Sequence, residues 1–128
     1  MTNNKAEAIK PHDTEQLIDL IIDSISDIKG QNIVKIDLRQ IDDAPTEYFI
    51  ICEGSSNTQV NAIAERIRER TKKEANNPPA HVEGNKSNTW VLLDYFDTVV
   101  HVFYRETRAF YDLEDLWSDG IMTEYDRL

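Results

Sequence analysis

The first residues that could support chemistry are His81 and Glu83, whose spacing matches the H-x-E half of a zinc deaminase signature. The other half of that signature, P-C-x-x-C, supplies two thiolate ligands, whereas Cys52 is the single cysteine of the chain. A deaminase is therefore excluded. A zinc site formed by His81, Glu83 and His101 stays an alternative, but His101 lies in an apolar run that favours a packed or hydrogen-bonded strand histidine.

A second candidate is Gly54-Ser55-Ser56, a corner between a predicted strand and a predicted helix, because helix N-termini bind anions. Nucleotidyltransferases combine such a corner with two carboxylates on the next strand, which hold divalent metal for phosphoryl transfer. The next firm strand carries only Asp94, with Asp97 in the turn, so no D-x-[DE] pair is available. The serines also lack a G-x-S-x-G elbow and P-loop spacing. We interpret Ser56 as a helix cap and expect no enzyme, no cofactor and no metal.

Length, composition and charge indicate the class of protein and the kind of partner. The 128 residues suit one domain, and 40% hydrophobic with 30% charged residues is typical of a globular protein. The net charge of -10 argues against broad binding to phosphate backbones and favours a basic partner. The apolar runs are far shorter than the roughly 20 residues that span a bilayer, and the first residues lack the apolar run of a signal peptide. These features predict a cytoplasmic protein that contacts no membrane.

Hydrophobic periodicity predicts the elements that must position these residues. Apolar residues spaced three and four apart predict a helix over 13–30 and another after Ser56, where Ser56 and Gln59 form a capping box. Short β-branched and aromatic runs predict strands, and a short helix follows near the end. The predicted strands cover 33–38, 48–52, 81–83, 89–95 and 98–104, with the last two forming a hairpin.

This order predicts an α/β (α+β) fold, a mixed β-sheet flanked by helices. We expect a flexible N-terminal tail over 1–12, a single domain over 13–118 and a C-terminal tail over 119–128. Along the first hairpin strand, period two sends Trp90, Leu92 and Asp94 to one face of the sheet. Val91, Leu93 and Tyr95 go to the other face. Either helices cover both apolar faces, which the pattern favours, or one face meets a partner.

The stretch from Thr89 to Trp117 reads TWVLLDYFDTVVHVFYRETRAFYDLEDLW and strongly resembles the Iojap family, also called the ribosomal silencing factor (RsfS) family. The family signature is a W-V-L-[LI]-D-[YL]-x-D-x-[VI]-V-H-[VI]-[FM] hairpin followed by R-x-[FY]-Y-x-L-E-x-L-W. Upstream, Tyr48-Phe49-Ile50-Ile51 with Gly54-Ser55-Ser56 looks like F-[VI]-I-x-x-G-x-S, and Val82-Glu83-Gly84 looks like V-E-G. The likeness covers about residues 14 to 118.

The resemblance implies a fold related to nucleotidyltransferases but without the catalytic carboxylates, which agrees with the missing D-x-[DE] pair. It also implies a partner, the large ribosomal subunit, reached through its ribosomal protein uL14 at the subunit interface. The bound factor then blocks joining of the small subunit, and translation falls under nutrient limitation. Members are often homodimers when free, and mitochondrial members assist assembly of the large subunit.

Carried over by position, the resemblance centres the partner-binding surface on the hairpin residues Trp90, Leu92, Asp94 and Tyr95, supported by Asp97. Their carboxylates would meet a basic ribosomal protein. Phe96 replaces the glycine often found in this turn, and because phenylalanine disfavours positive φ, we expect the turn geometry to differ. The residues assigned mainly to packing of the C-terminal segment are Arg108, Tyr111, Leu113, Glu114 and Trp117.

Three readings remain open at this point. The first is a translation repressor, the second an assembly factor that uses the same surface, and the third, less favoured, is a nucleotidyltransferase-type enzyme. The second helix also carries a basic face mixed with glutamates. We interpret it as a solvated surface held by ion pairs, with a minor contact to ribosomal RNA as the alternative. Its basic residues are Arg66, Arg68, Arg70, Lys72 and Lys73.

Overall fold

The computed structural model describes residues 13–125 of the chain. The helices in this range are α1 (Thr14–Asp27), α2 (Asn57–Ala75), α3 (Arg105–Tyr111) and α4 (Leu113–Leu116). The strands are β1 (Gln31–Asp37), β2 (Tyr48–Gly54), β3 (His81–Glu83), β4 (Trp90–Asp94), β5 (Thr98–Tyr104) and β6 (Ile121–Tyr125).

All six strands form one mixed sheet in the order β3-β4-β5-β2-β1-β6. The central pair β2 and β5 is parallel, and the other neighbours are antiparallel. Every residue of β2 is buried, which fits its uninterrupted apolar sequence and its place in the middle of the sheet. The predicted mixed sheet flanked by helices is confirmed.

Helices α1 and α2 cover one face of the sheet, which we call the helix face. Their apolar residues recur every three or four positions, so each helix presents a single apolar stripe to the strands. The stripes are fully buried at Ile21, Ile25, Ile63 and Ile67. These residues pack on the β-branched side chains of the sheet and form the larger of two core clusters.

The start of α2 is capped much as the sequence predicted. The Ser56 hydroxyl accepts a hydrogen bond of 3.0 Å from the backbone N–H of Gln59. The Gln59 side chain accepts from the N–H of Ser55 rather than Ser56, at 2.7 Å, and donates to the Ile28 carbonyl at 3.1 Å. The cap therefore also ties the start of α2 to the end of α1.

The opposite face of the sheet is covered only in part. A smaller core cluster lies there, with Phe49, Ile51 and Phe103 under Leu113 and Trp117 of the C-terminal segment. The half-buried Ile41 and Ala44 of the β1–β2 connection pack against the same cluster. Between these two covers, the hairpin ends of β4 and β5 lack an overlying helix among the described residues.

A buried ion-pair network holds the C-terminal segment on this face. Arg108 is only 8% exposed and donates to a Glu53 carboxylate oxygen at 3.1 Å and to the Asn32 carbonyl at 2.7 Å. Its Nε also donates to Glu114 at 3.1 Å. Arg108 and Glu114 therefore pack the segment as predicted, because each buried charge has an opposite charge to bind.

The C-terminal tail predicted for 119–128 is wrong for residues 121–125, which form β6. This strand pairs antiparallel with β1, from Ile33 opposite Tyr125 to Asp37 opposite Ile121. Gly120 permits the close approach, since a Cβ there would lie 2.5 Å from Ile36 Cγ2. Backbone hydrogen bonds to the edge of β1 hold β6 in the sheet, because four of its five side chains are exposed and it has no buried apolar face. The tail predicted for 1–12 lies outside the described residues.

Candidate functional site

The candidate site is the uncovered part of the sheet, which we call the open face. It consists of Trp90, Leu92 and Asp94 on β4 with Val99 and His101 on β5. Cross-strand pairing fixes their common side, because Leu92 lies opposite His101 and Asp94 opposite Val99. The structure therefore brings together three of the predicted site residues. All except His101 are half-buried, so they form an accessible surface with an apolar body.

Tyr95 does not belong to this surface, which corrects the sequence prediction. Its side chain points to the helix face and is 5% exposed, with its hydroxyl 2.9 Å from Thr71 Oγ1 in α2. Burial raises the pKa of the Tyr95 hydroxyl to about 12. The physical reason is the strand alternation, which places Tyr95 on the side of Val91 and Leu93.

The hairpin turn is a γ-turn with Phe96 at its centre. The N–H of Asp97 donates to the Tyr95 carbonyl at 2.9 Å, and Phe96 has a φ of 73°. Phe96 therefore occupies a backbone region that favours glycine, and the difference from the turn of glycine-containing members stays a prediction. Its ring is 77% exposed, so no internal packing compensates for the strained backbone.

Side chains from three segments hold this turn in place. The Asp94 carboxylate accepts from the N–H of Phe96 at 2.8 Å, and the Thr46 hydroxyl donates to the Phe96 carbonyl at 2.7 Å. The Thr14 hydroxyl donates to the Asp97 carboxylate at 2.6 Å. Asp97 therefore supports the site by fixing the turn to the start of α1, and the exposed Phe96 ring is presented in a defined position.

Between the turn and the open face lies a pocket of about 340 Å³, which we call the hairpin pocket. Most of its lining is apolar, and Asp94 contributes a carboxylate. Its volume lies at the small end of the range of about 300–1,000 Å³ that is typical of ligand pockets, and it suits one or two inserted side chains. The lining residues are Pro45, Phe49, Leu92, Asp94, Phe96, Val99 and His101.

His101 is the most constrained member of the pocket lining. Its ring is 4% exposed, and its Nδ1 accepts a hydrogen bond of 3.1 Å from the indole Nε1–H of Trp90. The ring of Phe49 meets it edge-on at 4.6 Å. Burial lowers the pKa of His101 to about 4, so the imidazole is neutral near pH 7. The predicted packed, hydrogen-bonded strand histidine is confirmed.

An exposed aromatic group extends the open face toward α3. It consists of Phe110, which was not predicted, and Tyr111, whose assignment to packing is corrected because its side chain is 51% exposed. The ring of Tyr111 lies 4.8 Å from that of Trp90, and Phe110 meets Tyr111 edge-on at 5.0 Å. Both α3 aromatics are exposed although they sit in the family-like C-terminal motif. The signal available in the sequence was the pair of adjacent aromatics, Phe110 and Tyr111.

The alternative motifs do not assemble into chemical sites within residues 13–125. His81 and Glu83 are exposed and hydrogen-bond to each other at 2.6 Å. No group of three or more His, Cys, Asp or Glu side chains in this range is arranged to hold a metal ion. Cys52 is fully buried, which raises its thiol pKa to about 12 and keeps it protonated. No described helix is long and apolar enough to cross a bilayer.

Most basic side chains on α2 form ion pairs with neighbouring carboxylates, as predicted. Arg70 contacts Asp23 at 2.7 Å, Asp27 at 3.0 Å and Glu74 at 2.7 Å. Arg68, Arg66 and Lys73 also pair with neighbouring carboxylates. The pairs that Arg66 and Arg70 form with Asp23 and Asp27 join α1 to α2 at the surface.

Comparisons with known proteins give a consistent result. The family model described as "Ribosomal silencing factor during starvation" matches residues 11–128. Ribosomal silencing factor RsfS of Halalkalibacterium halodurans is 34% identical over 110 residues, which cover 86% of this chain and 92% of that protein. A crystal structure of a Chromobacterium violaceum protein, 36% identical, has a TM-score of 0.77 and covers 81% of this chain and 85% of that chain.

A more distant relative comes from mouse and is named mitochondrial assembly of ribosomal large subunit protein 1. It is 32% identical over 75 residues, which cover 57% of this chain and 33% of the mouse protein.

Proposed function

Since the chain belongs to the ribosomal silencing factor family, a family of ribosome-associated regulators, we propose that it binds the large ribosomal subunit and keeps the small subunit from joining. The contact is made with ribosomal protein uL14, and the result is repression of translation in the cytoplasm under nutrient limitation. The observation that carries the proposal is the open face, an apolar patch of sheet without a helical cover among the described residues.

The composition of the open face suits a protein partner. Trp90, Leu92 and Val99 supply half-buried apolar area, and aromatic anchors of this kind carry most of the energy in protein interfaces. Phe96 adds an exposed ring at the rim, which extends the surface predicted from sequence. A strained turn that exposes an apolar side chain to solvent does not stabilise the free protein. Binding to a partner would explain why Phe96 occupies this position.

Charge supports a basic partner. Asp94 lies in the hairpin pocket and Glu83 is exposed next to it, because β3 pairs with β4 so that Glu83 faces Leu92. The net charge of the chain is -10. An acidic rim around an apolar centre steers a basic protein to the surface and disfavours binding by phosphate backbones.

The mechanism is steric and needs no bond-making step. A bound domain of 14.8 kDa occupies space on the subunit face that the small subunit would otherwise contact. Repression then depends on the fraction of large subunits that carry the factor, which follows its concentration relative to the dissociation constant.

A second candidate function is assistance in assembly of the large subunit, and the name of the mouse relative favours it. The same open face would serve, because only the time of binding differs. A homodimer of the free protein is also proposed, in which a second copy covers the apolar surface until a ribosome replaces it.

A subunit-joining experiment tests the proposal. Separated large and small subunits are mixed after incubation of the large subunit with the protein, and joining is followed by light scattering. Wild type is expected to lower the amplitude of joining, and Leu92→Ala to restore it. Met122→Ala is the matched control, since it shortens an exposed apolar side chain on β6, at the far edge of the sheet. Undiminished joining at saturating wild-type protein contradicts silencing and leaves assembly as the function to test.

A further inference from the structure

One residue that lines the hairpin pocket, His101, has a buried nitrogen without a hydrogen-bond partner in the described part of the chain. His101 Nε2 is closed to solvent and has no hydrogen-bond partner among residues 13–125. Buried polar atoms in folded proteins nearly always have a partner, and an unpaired one costs about as much as a lost hydrogen bond. Such an atom in a pocket lining points to a group that arrives from outside.

The tautomer of His101 follows from its other nitrogen. The indole Nε1–H of Trp90 can only donate, so His101 Nδ1 must be the acceptor of their 3.1 Å bond and carries no proton. The proton of the neutral imidazole therefore resides on Nε2. The unpaired atom is thus a hydrogen-bond donor, and the group that completes it must be an acceptor.

The surroundings of His101 define what kind of acceptor fits. Phe49, Leu92 and Val99 give the hairpin pocket apolar walls, so the entering group needs an apolar body. The Asp94 carboxylate lines the same pocket and would repel an anionic acceptor. A neutral oxygen, from a hydroxyl or a carbonyl, satisfies both conditions.

We infer that His101 is a specificity-determining residue of the open face, whose Nε2–H binds a neutral oxygen of the partner protein inserted into the hairpin pocket. This inference rests on the proposed function. Because Nε2 is covered in the free protein, the pocket side chains must move apart on binding, and side-chain rotations of this size are common at interfaces. A partner without the oxygen would leave the donor unpaired and bind more weakly.

A purely structural role is the competing explanation, since His101 also holds Trp90. Two substitutions separate the roles, because the amide of asparagine lies near the Nδ1 position and that of glutamine near Nε2. His101→Asn keeps an acceptor for Trp90 and loses the pocket donor, whereas His101→Gln keeps the pocket donor and loses the Trp90 acceptor. Thr98→Val is a matched control, because it removes another buried, unpartnered polar atom of β5 on the helix face.

The experiment measures dissociation constants of the four proteins for purified large subunits and for isolated uL14, with thermal unfolding in parallel. We expect His101→Asn to weaken binding about ten- to hundredfold, His101→Gln to weaken it less than His101→Asn does, and Thr98→Val to stay within about threefold of wild type. Equal binding by wild type and His101→Asn, or stronger loss in His101→Gln than in His101→Asn, overturns the role of Nε2. Failure of wild type to bind either probe overturns the proposed function itself.

Discussion

The indole N–H of Trp90 donates to Nδ1 of His101 across the β4–β5 pair, at 3.1 Å. This contact orients the largest apolar side chain of the open face and, at the same time, determines which nitrogen of the histidine carries its proton. An apolar anchor and a buried polar donor are thus positioned by one bond. The orientation of Trp90 and the tautomer of His101 are therefore set before any partner arrives.

Two substitutions at the turn residue Phe96 should differ in their effect on stability but not in their effect on binding. Phe96→Gly removes the penalty of about 1–2 kcal/mol for a side chain at positive φ but adds about 0.5–1 kcal/mol of unfolded-state entropy. Phe96→Ala keeps the strain and loses the ring. We expect the glycine variant to be the more stable of the two by roughly 1 kcal/mol in urea unfolding.

Both Phe96 variants are expected to bind large subunits about tenfold more weakly than wild type, because both lack the exposed ring. Wild-type affinity in either variant would show that the strained phenylalanine has no part in the interface.

Because Tyr95 lies in the core, its substitution should lower stability without changing binding. Tyr95→Phe removes a hydroxyl that lies 2.9 Å from Thr71, while Thr71 keeps its bond to the Ile67 carbonyl. The free energy of unfolding should fall by about 1 kcal/mol, with no change in affinity for large subunits. A clear loss of affinity at unchanged stability would restore Tyr95 to the surface predicted from sequence.

The buried network at Arg108 predicts a large loss of stability. Arg108→Ala leaves Glu53 buried with only Arg105 and Asn32 as side-chain partners. We expect a loss of about 3 kcal/mol in denaturant unfolding, at the lower end of the range for breaking buried pairs. The matched control is Arg39→Ala, which breaks an exposed pair with Asp37 and should cost far less stability, because exposed ion pairs are screened by solvent. Similar losses in both variants would contradict the structural role of the Arg108 network.

The lowered pKa of His101 predicts how stability depends on pH. The folded-state pKa is about 4, whereas the ordinary pKa of histidine is 6.5, so the unfolded chain binds more protons between these two values. Stability from this residue is therefore present above pH 6.5 and is lost as the pH falls toward 4. Wild type should lose roughly 2 kcal/mol more than His101→Asn between pH 7 and 5. Parallel pH profiles of the two proteins would show that His101 is not buried in its neutral form.

Much of the fold could be predicted from local patterns. The periods of α1 and α2, the uninterrupted apolar run of β2 and the alternation along β4 each follow from side chains that meet the core at short spacing. The alternation also placed Tyr95 on the helix face, opposite Trp90, so the sequence contained the argument against including it in the site. The family-like motif outweighed that alternation in the prediction.

The features that could not be predicted depend on contacts between residues that are distant in sequence. Strand β6 has four exposed residues and pairs through its backbone with β1, nearly 90 residues earlier, so no periodicity indicated it. The positive φ of Phe96 is held partly by Thr46, 50 residues away. The free Nε2 of His101 likewise depends on how β2, β4 and β5 meet, which local sequence does not specify.

The central claim is that the open face binds the large ribosomal subunit, and co-sedimentation tests it most directly. Wild type, Trp90→Ala and the core control Tyr95→Phe are each centrifuged with separated large and small subunits, after circular dichroism has established that all three are folded. The account predicts that wild type and Tyr95→Phe pellet with large subunits only, and that Trp90→Ala stays in the supernatant. Wild-type protein that remains in the supernatant with large subunits at micromolar concentration would contradict it.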